Sequence, residues 1–77
     1  MPDCTVARLR KSELEEIVIG IREYQSHEFV DIRVFFGVRG QETKPTKKGV
    51  TIPLELYREF HRSMEELHRA MKERGWA

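Results

Sequence analysis

An α+β fold, antiparallel strands followed by one long carboxy-terminal helix, is what this sequence predicts, and three observations carry the prediction. Ile17-Val18-Ile19-Gly20-Ile21-Arg22-Glu23-Tyr24 and Phe29-Val30-Asp31-Ile32-Arg33-Val34-Phe35-Phe36 are β-branched and aromatic runs separated by the polar Gln25-Ser26-His27-Glu28, which reads as an antiparallel hairpin. Val50-Thr51-Ile52 is a shorter run of the same kind, able to extend the sheet. From Leu54 to Arg74 there is neither Gly nor Pro, so a helix is expected over residues 53–74.

Alternation along the first strand puts Ile17, Ile19 and Ile21 on one face. On the second it groups Val30, Ile32, Val34 and Phe36, and these two sets are expected to form the core side. Arg22 and Tyr24 then share the opposite face, with Asp31, Arg33 and Phe35. Gly49 ahead of the third run permits a tight approach or a bulge. Pro53 suits a first helical turn and Gly75 a helix stop. Within the helix Tyr57, Phe60, Met64, Leu67 and Met71 recur at alternating steps of three and four. That seam, on a helix of about 30 Å, is suited to packing against the sheet, a second helix, or both. Residues 1–16 admit two readings, a capping box at Ser12 and Glu15 or a short strand around Val6 to Leu9; residues 1–15 are expected to be poorly ordered or a short first strand.

With 77 residues the chain has room for one domain, spanning 1–77, and a domain this small buries a modest share of its surface, so association with a second copy would help it. Apolar residues make up 39% and charged residues 35% in nearly equal signs, which argues for a folded, soluble protein and against disorder or membrane residence. No apolar stretch approaches the length of a signal peptide core or a membrane span. The expected address is cytoplasmic: nucleoid-associated in a bacterium, the host cytoplasm for a phage protein, and nuclear only in a eukaryote. Cys4 is the single cysteine, leaving neither an intramolecular disulfide nor a thiolate-rich metal site.

The net charge of +1 hides a basic stretch. Residues 37–52, GVRGQETKPTKKGVTI, carry Arg39, Lys44, Lys47 and Lys48 against Glu42 alone. A basic, turn-rich loop of this kind is a candidate contact for phosphates. Catalysis finds no support: there is no Walker-type phosphate loop, no H-E-x-x-H, no nucleophile elbow and no carboxylate pair with a reason to be juxtaposed. No enzyme, catalytic residue, metal or cofactor is expected. His61 and His68 lie seven apart on the helix, about 10 Å along its axis, too far to share a metal.

The segment VDIRVFF, a turn-rich spacer, and then KPTKKGVTIPLELY resemble the carboxy-terminal domain of the positive cofactor four family of transcriptional coactivators, and the likeness runs without a gap from Val18 to Phe60. It implies a four-stranded curved antiparallel sheet with one final helix, dimerised through the helices, here along Tyr57, Phe60, Met64, Leu67 and Met71. It further implies binding of single-stranded or melted DNA without sequence specificity, in transcription, replication or repair, with the transcription machinery as a possible partner. Carried over position by position, it assigns the DNA contacts to Arg22, Tyr24, Arg33, Phe36, Lys44, Lys47 and Lys48. Phosphates suit the cations and unpaired bases suit the rings. Phe36 is drawn two ways, to the core face by alternation and to the DNA by the resemblance. At the hairpin turn the family carries lysines flanking a glycine where this chain has Gln25, Ser26 and His27, which implies weaker binding. The absence of a long acidic and serine-rich tail favours a bacterial or phage version, or an isolated domain. The alternatives are RNA as the ligand, or a dimeric protein-interaction module that uses the same sheet.

Overall fold

The computed structural model describes residues 3–38 and 40–77, so Arg39 of the basic stretch lies outside the described residues. Four strands, β1 (Cys4–Arg10), β2 (Glu15–Tyr24), β3 (His27–Phe36) and β4 (Lys44–Pro53), precede one helix, α1 (Leu54–Glu73). They form one open antiparallel sheet in the order β1-β2-β3-β4. This is the α+β architecture expected, and the open question at the amino terminus resolves as a strand. Ser12 and Glu15 do not cap a helix. Instead the Lys11 and Ser12 amides donate to the Glu15 carbonyl at 3.0 and 3.1 Å, closing the turn from β1 into β2.

The hairpin is tighter than the polar gap implied. Tyr24 pairs with His27, leaving Gln25 and Ser26 as a two-residue turn with φ of 50° and 66°. Two consecutive positive φ values define the type I′ turn whose twist matches that of the strands. Asn-Gly is its usual sequence, so Gln-Ser gave no signal and His27 and Glu28 read as loop. The basic stretch is also more regular than expected: Lys44, Lys47 and Lys48 belong to β4 rather than to a loop. The β3–β4 register shifts between Arg33, paired with Gly49, and Phe35, paired with Pro45, so that residues 46–48 bulge opposite Val34. The Thr46 hydroxyl donates to the Val34 carbonyl at 2.7 Å and accepts the Lys48 amide at 3.2 Å, which fixes the bulge. Gly49 is required beside it, because a Cβ there would stand 2.6 Å from the Ile32 carbonyl oxygen.

Register sorts the strands into two faces. Ile17, Ile19 and Ile21 lie opposite Val34, Ile32 and Val30, and Val50 and Ile52 follow on β4. This is the face that carries α1, which leans on β3 and β4. Pro53 serves as the residue before the helix rather than its first turn. At the far end the Gly75 and Trp76 amides reach the Lys72 and Met71 carbonyls at 3.0 and 2.8 Å, the double bond of a Schellman stop with Gly75 at φ 76°.

The expected core face is incompletely covered within one chain. Ile52 beneath the helix is buried, but Ile21 is 39% exposed, Val50 51% and Leu67 on the helix 51%. No helix residue is fully buried. The most buried apolar side chain, Val18, stands on the opposite face, where its cross-strand neighbours are Arg8 and Arg33. The helix covers only one part of its face, whereas the long side chains of the other face lie down over Val18. The radius of gyration of 14.4 Å exceeds the value of about 11.5 Å expected for a compact chain of this length.

Two substitutions test the strand connections. Gly49→Ala should destabilise the fold by about 1–3 kcal/mol, since a backbone oxygen occupies the place of the new methyl. Ser26→Gly should stabilise it by about 0.5–1 kcal/mol by relieving a positive φ at a side-chain-bearing residue. Urea denaturation at fixed protein concentration reads both; an unchanged midpoint for either would contradict the geometry assigned to that turn or bulge.

Candidate nucleic-acid interface

The face away from the helix is built from arginines laid over two buried carboxylates. Strand alternation places Glu16, Val18, Gly20, Arg22 and Tyr24 of β2 on this side. Beside them stand Arg8 and Arg10 of β1 and Phe29, Asp31, Arg33 and Phe35 of β3. Asp31, with its side chain 7% exposed, accepts from Arg33 Nε at 3.2 Å and Nη2 at 3.0 Å, and Arg22 Nε lies 3.9 Å away. Arg22 reaches it by folding back over Gly20, where a Cβ would come 3.1 Å from the Arg22 Cζ. Arg33 Nη1 donates in addition to the Thr46 carbonyl at 3.0 Å, tying this cation to the β4 bulge that bears Lys47.

Glu16 repeats the arrangement one strand over. Arg8 Nη1 donates to its Oε1 at 2.5 Å, the Thr43 hydroxyl donates to the same oxygen at 2.9 Å, and Arg10 Nη2 stands 3.8 Å from Oε2. The Arg8 guanidinium also sits 5.9 Å from the centroid of the Phe35 ring. A carboxylate withdrawn from water is tolerated only when paired and hydrogen-bonded. Four arginines against two carboxylates leave this face with a net positive charge. Held guanidiniums still present unused N–H donors suited to phosphate.

The seven residues assigned by resemblance divide between the two sides of the sheet. Arg22, Tyr24 and Arg33 share the arginine face, with Tyr24 68% exposed at the hairpin end. Phe36 pairs with Glu15 and Lys44 on the helix side, as alternation expects, yet it is 52% exposed at the end of β3 rather than part of a core. Lys44 and Lys48 accompany it on that side, where Lys48 Nζ lies 3.6 Å from Glu15 Oε2 and Lys11 Nζ 3.6 Å from Oε1. Lys47 is exposed in the bulge. Tyr24 and Phe36 therefore mark opposite ends of β3, about 30 Å apart at 3.3 Å per residue. The helix residues Tyr57, Phe60, Met64, Leu67 and Met71 take no part in this surface; Tyr57 stacks on His61 at 5.9 Å.

Sequence reasoning placed Phe35 on this face without giving it a contact, and passed over Arg8, Arg10 and Glu16. The signal available was the Arg-x-Arg alternation in β1, which shows only once β1 is known to be a strand. Among the described residues no group of His, Cys, Asp and Glu side chains could hold a metal ion, and no helix is long and apolar enough to cross a membrane.

Comparison with known proteins adds to this geometry. Among curated proteins none matches. Two solved structures do, both of BPSL1147, a PC4 homolog from Burkholderia pseudomallei K96243. The orthorhombic crystal form superposes with a TM-score of 0.76 at 28% identity, covering 88% of this chain and 92% of that one. The tetragonal form gives 0.74 at 27% identity, covering 86% and 97%. A sequence profile of the family described as Transcriptional Coactivator p15 (PC4) matches residues 11–63, which comprise β2, β3, β4 and the first half of α1. The chain belongs to the PC4 family of transcriptional coactivators.

Proposed function

We propose that this protein is a homodimer that binds single-stranded or locally melted DNA without sequence specificity, and that it acts on transcription, replication or repair through that binding. The observation that carries the reading is the net positive arginine face bordered by exposed Tyr24, on a chain of the PC4 family. Arg22, Arg33 and Lys47 would meet phosphates, and Tyr24 a base. Phe36 and Lys44 would receive the strand where it passes the end of the sheet, and Lys48 would add charge from the helix side of the bulge. Nothing in this surface reads base edges in a duplex groove, since its cations stand on strands, and the cations of α1 are interspersed with glutamates rather than forming a basic recognition helix. Affinity would come from charge neutralisation and stacking, both tolerant of sequence.

The dimer is supported by the apolar surface left over in one chain. Val6, Ile19, Ile21, Val30, Leu54 and Tyr57 line an apolar groove of about 360 Å³ between the start of α1 and the sheet. Along the helix Met64 and Leu67 are 42% and 51% exposed. A second copy contributing the same surface would cover both, and an isologous contact needs no other partner.

Three measurements test this function. Fluorescence anisotropy across a salt series should show preference for a mixed-sequence single strand over the matching duplex. The Lys44/Lys47/Lys48→Ala variant should flatten the log K against log salt slope by about 2, at about 0.7 per phosphate. No binding at low salt would leave the family likeness as one of fold and turn attention to a protein partner on the same sheet. Tight binding to RNA in preference to DNA would change the ligand but not the surface. Tyr24→Ala should cost about 1–3 kcal/mol, or about 5- to 150-fold in affinity, at every salt concentration, because stacking carries no counterion release; a loss confined to low salt would show that Tyr24 does not stack. Met64→Glu or Leu67→Lys should yield a monomer or an unfolded chain by sedimentation equilibrium, and a dimer that survives either change would show that the seam does not make the contact.

A further inference from the structure

The family profile begins at residue 11, so strand β1 and its two arginines lie outside what the family match accounts for. Yet register puts Arg8 in one row with Val18 and Arg33, and Arg10 in the next row with Glu16 and Phe35. Strands stand about 4.8 Å apart, which places β1 about 10 Å beyond the β3 arginine on the same surface. Next to these arginines a polar cleft of about 410 Å³ opens between β1 and the turn into β4, lined by Arg8, Arg10, Glu16 and residues 40–43. Two features make it more than a charged surface. The Glu16 carboxylate, its side chain 9% exposed, holds both guanidiniums and accepts from Thr43, so the cleft has a built floor. Arg8 spends one N–H on that carboxylate and keeps half of its side chain exposed, while lying over Phe35.

Resting on the single-strand reading above, we infer that β1 extends the nucleic-acid path: Arg8 and Arg10 each take a further phosphate of the same strand as it leaves Arg33 and crosses the sheet into this cleft. Lengthening the strand would then add affinity through charge, and Glu42, the other carboxylate lining the cleft, would oppose it.

The test is a series of oligothymidylates from about 4 to about 16 nucleotides, the span of site sizes known for single-strand-binding folds. The dimeric protein is compared with Arg10→Gln and with Arg8→Gln/Glu16→Gln, the second pairing chosen so that no buried carboxylate is stranded. Thermal melts establish that each variant is folded. The expected result is a loss of affinity that grows with oligomer length and is least for the shortest oligomer that binds, with the salt slope on the longest oligomer flattened by about 0.7 for each arginine removed. Glu42→Gln should do the reverse, tightening only the longer oligomers, which a folding defect would not produce. Variants that follow the wild-type length dependence and salt slope would overturn the inference while leaving single-strand binding intact, as would an equal loss at every length. A wild-type protein that binds none of the series would overturn the function itself, and the inference with it.

Discussion

Four strands present two faces and the chain supplies one helix, so one side of the sheet has to be finished by its own side chains. Apolar residues there would demand a second layer that does not exist. The chain instead places charge on that side and withdraws the carboxylates, so that Asp31 and Glu16 are 5% and 7% exposed while the arginines around them remain partly open. Val18, buried without a helix above it, stands between Arg8 and Arg33 on the neighbouring strands, whose aliphatic stems are of the kind that covers apolar surface. The same arrangement aligns cations on a surface free for a ligand. The proposed binding would thus draw on contacts that also hold the sheet: Arg33 holds Asp31 and anchors the Thr46 carbonyl of the β4 bulge, with its side chain 22% exposed.

The helix side obeys a different logic. Its residues are apolar by alternation, but α1 rests on β3 and β4 and leaves β1 and β2 uncovered. Within one chain this layer stays open, and Ile21 and Val50 on the sheet and Met64 and Leu67 on the helix are all at least 39% exposed. Subunit association and strand binding would therefore occupy opposite sides of the sheet. Phe36 and Lys44 stand at the end of β3 and β4 away from the hairpin turn, and Lys48 lies on the helix side of the bulge.

Strand identity, strand facing and the helix could be read from the sequence because each rests on local periodicity. Ile17, Ile19 and Ile21 recur at every second position, as do Val30, Ile32, Val34 and Phe36, and the helix runs between a Pro and a Gly. Three features escaped. The turn at Gln25-Ser26 uses positive φ at residues that do not advertise it. Only the Val50–Ile52 end of β4 was legible; its first part was hidden in a stretch of Lys, Pro and Thr because the bulge is stabilised by the Thr46 hydroxyl and by Arg33, thirteen residues away, rather than by strand-forming residues. The burial of Val18 depends on what the neighbouring strands lay over it, a property of the assembled sheet. The candidate site followed the same rule: Arg22, Tyr24 and Arg33 could be placed on one face from parity, whereas placing Arg8 and Arg10 on that face required the pairing of β1 with β2.

Arginine side chains report directly which surface meets the strand. A nitrogen-resolved NMR spectrum of the arginine Nε–H groups, titrated with a single-stranded oligonucleotide, separates Arg22 and Arg33 on the sheet from Arg58, Arg62 and Arg69 on the helix. The prediction is that the signals of Arg22 and Arg33 shift or broaden while those of the helix arginines stay in place. Movement confined to the helix arginines, with the sheet pair unmoved, would contradict the assignment of the arginine face as the binding surface.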